Sequence, residues 1–148
     1  MTAARRTGLL DVNVLIALAW PNHVHHSAAH RWFGTHAQDG WATTPITESG
    51  FVRVSSNRAA IPAATSPVVA LEALTAITGL DGHEFWADDV AVVTNGMGDA
   101  TLIRTHRDVT DAHLLALAER YAGVLVTFDT RLPRLLGARP AELVSILR

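Results

Sequence analysis

The chain has 148 residues, 49% of them hydrophobic and 18% charged, with a net charge of −2 and neither cysteine nor lysine. Without cysteine there is no disulfide framework, thiolate zinc site, iron–sulfur cluster or thiol nucleophile. Without lysine there is no phosphate-binding loop ending in Gly-Lys-Ser/Thr and no Schiff-base chemistry, so any catalysis must use oxygen and imidazole groups.

A chain of this length is expected to form one domain, residues 1–148, that buries about 68–70% of its unfolded surface. Arg5 and Arg6 precede an apolar stretch, as in an export signal, but Asp11 and Asn13 interrupt it. No apolar run approaches the roughly 18–20 residues of a membrane span, so a soluble, unexported, cytoplasmic protein is expected.

In chain order, Gly8 to Asp11 reads as a buried strand ending in an acid and turning into a helix near Asn13, which Pro21-Asn22 stops. His23 to Phe33 predicts a helix with Asn22 as cap and Gly34 as terminator. Gly40 to Thr44 predicts a strand, and Pro45 opens a helix through Glu48, Phe51 and Val54. Ser66-Pro67 to Gly79 is a capped and terminated helix, and His83 to Trp86 a third strand. Asp88 to Asp99 reads as partly loop, followed by a short helix over Ala100 to Thr105. Thr110 then caps a helix over Asp111 to Ala122, which Gly123 ends before the strand Val124 to Asp129. Leu143 to Leu147 closes the chain as an edge strand. Alternating strands and helices predict a three-layer α/β/α sandwich with a mostly parallel central sheet.

Asp11 and Asp129 each follow an apolar strand, and ligands of open α/β sheets bind at the carboxyl ends of strands. The simpler alternative is that each begins a turn or caps a helix. Asp111 lies four, seven and eleven residues before Leu115, Ala118 and Ala122, on one helical stripe, although a first-turn aspartate also suits the helix dipole. Glu48 precedes Phe51 and Val52 in the same manner. Four acids in one partly apolar cleft need a counter-charge, and without lysine the natural one is a hard divalent cation, Mg²⁺ or Mn²⁺. Such ions activate water for phosphodiester cleavage. Asn13 and Thr127 stand beside the acids and are candidates to orient a carboxylate, or else an ordinary turn residue and strand hydroxyl.

Leu9-Leu10-Asp11-Val12-Asn13, Thr47-Glu48-Ser49-Gly50-Phe51, Val109-Thr110-Asp111-Ala112-His113 and Leu125-Val126-Thr127-Phe128-Asp129 together resemble the PIN-domain ribonucleases. More narrowly, they resemble the VapC toxins of bacterial toxin–antitoxin pairs. The resemblance implies a Mg²⁺- or Mn²⁺-dependent endoribonuclease toxin with Asp11, Glu48, Asp111 and Asp129 as metal ligands. It implies in-line attack by metal-activated water, leaving 5′-phosphate and 3′-hydroxyl ends. It further implies an RNA substrate, a homodimer and inhibition by a cognate VapB-type antitoxin.

Three other readings stay open. Asp11-Val12-Asn13 has a faint likeness to haloacid dehalogenase-type phosphatases, which want a second aspartate at position 13 and a lysine. His26 and His30, spaced i, i+4, make a helical zinc site conceivable, though a solvated or partly packed histidine face suits them better. A PIN-like scaffold that binds RNA or a partner without cutting is the third. His106 and His113 have no evident partner in the sequence. The sequence pI of about 6.4 is low for a nucleic-acid enzyme, but the site acids account for part of it. Arg31, Arg53, Arg131 and Arg134 are candidates for a basic rim.

Overall fold

The computed structural model describes residues 5–61, 64–93 and 96–148. Five strands, β1 (Gly8–Leu10), β2 (Trp41–Thr43), β3 (His83–Phe85), β4 (Val124–Thr127) and β5 (Val144–Ile146), form one sheet in the order β3-β2-β1-β4-β5. Every pairing is parallel, so the sheet is wholly rather than mostly parallel.

Parallel strands lie under helices on both faces, and the residue pairs along each strand divide accordingly. Leu10, Trp41 and Val126 face the core built by α1 (Val12–Ala19), α2 (His26–His36), α3 (Pro45–Ser55) and α4 (Pro67–Thr78). Leu9, Ala42 and Leu125 face the opposite core, with Leu114, Leu115, Leu117 and Ala118 of α5 (His106–Arg120) and Leu132, Leu135 and Leu143 from short 3-10 turns. Two helical layers thus enclose the sheet, giving the expected α/β/α sandwich. Residues 112 to 118 of α5 are all buried, which is why its sequence shows no clean polar face. Among the described residues, no helix is long and apolar enough to cross a membrane.

Helix α4 begins and ends where its punctuation predicts, with the Ser66 hydroxyl accepting from the Val69 amide and Gly79 as C-cap. Helix α3 starts at Pro45 under a reciprocal cap between Thr44 and Thr47. The strands near residues 83 and 143 are each slightly shorter than expected.

Several helix boundaries differ from expectation. Helix α2 starts at His26 rather than His23 and runs through Gly34 to His36. At Gly34 nothing lies within 4 Å of a built Cβ, so the glycine is simply tolerated on an open helix face. Helix α5 starts five residues before Asp111, capped by Thr105 rather than Thr110, because Thr105 and Asp108 form the reciprocal box. The 3-10 turn Ala100–Leu102 is correspondingly separate and short. At the far end of α5, Ala122 and not Gly123 adopts the left-handed conformation, at φ 53°. Gly123 is required for space: a Cβ there would lie 2.5 Å from the Trp86 ring and 2.6 Å from the Thr7 carbonyl oxygen.

Candidate active site

The chain passes from β1 to β2 and β3 on one side, then returns to lay β4 on the other side of β1. The order therefore reverses between β1 and β4, where an open parallel sheet leaves a crevice beyond its strand ends. Asp11 follows β1 directly, its amide donating to the Val126 carbonyl of β4 at 2.9 Å. Asp129 lies two residues beyond the end of β4. The two acids flank the point of reversal.

Asp11 does two things. Its Oδ1 accepts from the Val12 amide at 2.7 Å and caps α1, so the helix-capping alternative holds. Its Oδ2 accepts from the Thr127 hydroxyl at 2.8 Å. That hydroxyl also accepts from Asn13 Nδ2 at 3.2 Å and from the Asp129 amide at 3.0 Å. Asn13 Oδ1 in turn accepts from the Phe128 amide at 3.2 Å. Asn13 and Thr127 thereby lock the ends of β1 and β4 together and fix one Asp11 oxygen.

Asp111 comes from α5, whose longer span places it in the second turn rather than the first. The first-turn dipole reading therefore fails, and the buried stripe explains its position: Leu115 and Ala118 are inaccessible, although Ala122 lies beyond the helix and is exposed. Burial, followed by repulsion from Asp11, Asp129 and Asp108, pushes the Asp111 carboxyl up to about 7, with Arg134 opposing. Burial also raises Asp11, against the Thr127 and Val12 hydrogen bonds, and Asp129 adds to the rise. Asp111 therefore feels the negative charge of both Asp11 and Asp129, while Arg131 meets Asp129 at 3.4 Å.

Glu48 is not among the charges that shift Asp11 or Asp111. Its Oε2 accepts from the Thr43 hydroxyl at 2.7 Å, and His83 Nε2 lies 2.7 Å from the same hydroxyl. Because Thr43 donates to Glu48, His83 must donate to Thr43 from Nε2. Burial lowers the His83 imidazole, while Glu48 and Glu84 pull it upward. Helix α3 is nonetheless pressed against the start of α1, since a Cβ on Gly50 would lie 2.7 Å from Val12 Cγ2. Glu48, two residues before that contact, projects from a helix anchored beside Asp11.

Among the described residues, no three Asp, Glu or His side chains are close enough to hold one ion directly. The donor set still suits a hard cation that keeps several waters and uses one or two carboxylates: all the donors are oxygen and their charges repel. A depression lined by Ile16, Trp20, Ser55 and Ile61 contains none of the four acids.

The histidines resolve differently. His26 Nδ1 and His30 Nε2 donate to the Ala17 and Leu18 carbonyls, at 2.8 and 3.1 Å, and so cap the end of α1 instead of building a zinc site. His113, expected to lack a partner, is buried with Nε2 2.5 Å from Asp88 Oδ1. Asp88 belongs to the segment after β3, a pairing that only the tertiary fold creates. Sequence reasoning also passed over Asp108, although Thr105-x-x-Asp108 is a readable cap signature.

A PIN-domain family model matches residues 8–137. The chain is 59% identical over 141 residues to ribonuclease VapC39 of Mycobacterium tuberculosis H37Rv, covering 95% of this chain and 99% of that protein. It is 48% identical over 139 residues to ribonuclease VapC38 of the same strain, covering 94% and 96%. Ribonuclease VapC44 of that strain is 41% identical over 121 residues, covering 82% and 84%. With coupled acids at the sheet's point of reversal and likeness over nearly its whole length, the chain belongs to the VapC ribonucleases of the PIN-domain family.

Proposed function

We propose that this protein is a divalent-metal-dependent endoribonuclease, acting as the toxin of a toxin–antitoxin pair. The observation that carries this reading is the burden of charge on Asp111, raised to about 7 by burial and by Asp11 and Asp129 at the strand-order reversal. Asp11, Asp111 and Asp129, with Glu48 reaching in from α3, would hold Mg²⁺ or Mn²⁺. Bound there, such an ion would supply Lewis-acid activation of water for phosphodiester hydrolysis, the chemistry that gives 5′-phosphate and 3′-hydroxyl ends.

The chain's own residues prepare the site. Thr127 and Asn13 hold one Asp11 oxygen in place, so that carboxylate does not have to reorient. Thr43, aligned by His83, does the same for Glu48. Asp111 supplies its charge only when deprotonated, so cation binding releases a proton near neutral pH. Asn13, at the position where a phosphatase would need a second acid, is committed to Thr127 and the Phe128 amide, which leaves that alternative without support.

The partners follow the same reading: a cognate VapB-type antitoxin and a second copy of the chain. Val68 and Leu71 on α4 are more than half exposed, an apolar surface suited to such contacts. Glu48 lies in the wall of the adjoining α3–α4 groove with Val52, Leu71 and Leu74, so a segment docked there would reach the site.

Mapping cleavage in total RNA with Mg²⁺ or Mn²⁺, beside Asp11→Asn and Asp111→Asn controls, tests the proposal. Discrete metal-dependent cuts made by the unaltered protein alone are expected. Metal-independent cutting, or equal cutting by both variants, would overturn it and leave a binding scaffold.

A further inference from the structure

Asp108 stands three residues before Asp111 on α5 and is almost completely buried. Its Oδ2 accepts from the Arg104 and Thr105 amides at 2.9 and 3.1 Å. The Arg134 guanidinium grips the same carboxylate, Nη2 on Oδ1 and Nη1 3.4 Å from Oδ2. Arg134 belongs to the turn Leu132–Leu135, just downstream of Asp129. A contact with Asp108 therefore brings the guanidinium between the helix that carries Asp111 and the turn that follows Asp129.

The Arg134 side chain is 47% exposed while that of its partner is 2% exposed. A guanidinium has five N–H donors, and Asp108 engages only one edge. Arg131, the other arginine of this turn, is 72% exposed and meets Asp129 at 3.4 Å, without any buried anchor. The Arg134 charge also acts on Asp111 in the opposite sense to the neighbouring acids. Besides the counter-charge that a bound metal ion would supply, the Arg134 guanidinium offers an approaching RNA backbone N–H donors beside these carboxylates.

We propose that Arg134, held by Asp108, binds a phosphate of the RNA backbone next to the one that is cut. The proposal rests on the ribonuclease reading above. Asp108 is a positioning residue: it touches no RNA but sets where the free edge of the guanidinium lies. A charged, planar donor fixed in advance binds phosphate through paired hydrogen bonds and loses little freedom in doing so.

The experiment uses a single-stranded oligoribonucleotide containing a mapped cut site. Cleavage kinetics are measured for Arg134→Gln and Arg134→Lys. Binding of the same RNA between 50 and 200 mM salt is measured in an uncleaving Asp11→Asn background, with and without Arg134→Gln. Arg134→Gln is expected to lower kcat/KM about tenfold or more, mainly through KM, and to flatten the log–log salt dependence of binding by about 0.7, the value for one phosphate on a single strand. Arg134→Lys is expected to fold with its charge kept and to raise KM, because an ammonium on Asp108 offers no second edge.

A merely structural role for Arg134 would lower the melting temperature and leave the salt slope and KM unchanged, and that result overturns the proposal. If Arg134→Gln does not fold, an unaltered KM in Arg134→Lys overturns it equally. A wild-type protein that cuts no RNA with any divalent metal instead sinks the ribonuclease reading itself.

Discussion

Replacing Asp111 by Asn is expected to make the metal-free protein more stable while abolishing cleavage. The Asp111 carboxyl is raised from its ordinary 3.8 to about 7, first by burial and then by Asp11 and Asp129. At full strength that difference is about 4 kcal/mol, and partial solvent exposure reduces it to about 2 kcal/mol. The folded state binds this proton more tightly than the unfolded chain. Stability from the protonated form is therefore complete below about pH 4 and is lost as pH rises toward 7. Asparagine has no proton to lose, so the gain of Asp111→Asn is near zero at the acid end and reaches about 2 kcal/mol at pH 8. For a chain of this size that is a rise of about 4–8 °C in Tm. The assay is thermal unfolding in chelator across pH 4.5 to 8, repeated with Mn²⁺. Added Mn²⁺ is expected to stabilise the unaltered protein and narrow the difference, since it binds only the folded site. A variant no more stable than the parent at pH 8, or a gain independent of pH, would refute the reasoning.

Other perturbations separate support of the site from support of the fold. Thr127→Val removes the hydroxyl shared by Asp11, Asn13 and the Asp129 amide, and is expected to cost about 2–3 kcal/mol in chemical unfolding together with most of the cleavage rate. Normal cleavage rates in that variant would show that Asp11 needs no such fixing. Gly123→Ala forces a methyl against Trp86 and the Thr7 carbonyl, and a loss of about 1–3 kcal/mol is expected, read from the urea midpoint. His83→Phe leaves the Thr43–Glu48 hydrogen bond without its outer donor. It is expected to reduce kcat severalfold with KM little changed, measured on one oligoribonucleotide.

Much of this architecture is written in local signals. Ser66, Pro67 and Gly79 bound α4 because cap, first-turn proline and terminator act within one turn of the chain. The apolar runs ending at Asp11 and Asp129 mark strands buried on both faces. The start of α5 was less legible because Thr110-Asp111 and Thr105-x-x-Asp108 compete as caps, and the reciprocal bonds of the second pair prevail. Ala122 and Gly123 were interchanged in role because the need for glycine lies in Trp86, far away in sequence. The same limit hid the pairs His113–Asp88 and Asp108–Arg134, each joining segments about 25 residues apart. The four acids were legible as strand-end and helix-face positions, but the position of Glu48 beside Thr43 and His83, apart from the coupled trio, depends on tertiary packing.

The most direct measurement is the initial rate of cleavage of one oligoribonucleotide as Mn²⁺ is titrated from zero, for the unaltered protein and for Asp111→Asn. A rate that is nil in chelator, saturates with the ion and stays at background throughout for the variant is the predicted result. Cleavage that persists in chelator, or a variant that follows the same titration curve as its parent, would contradict it.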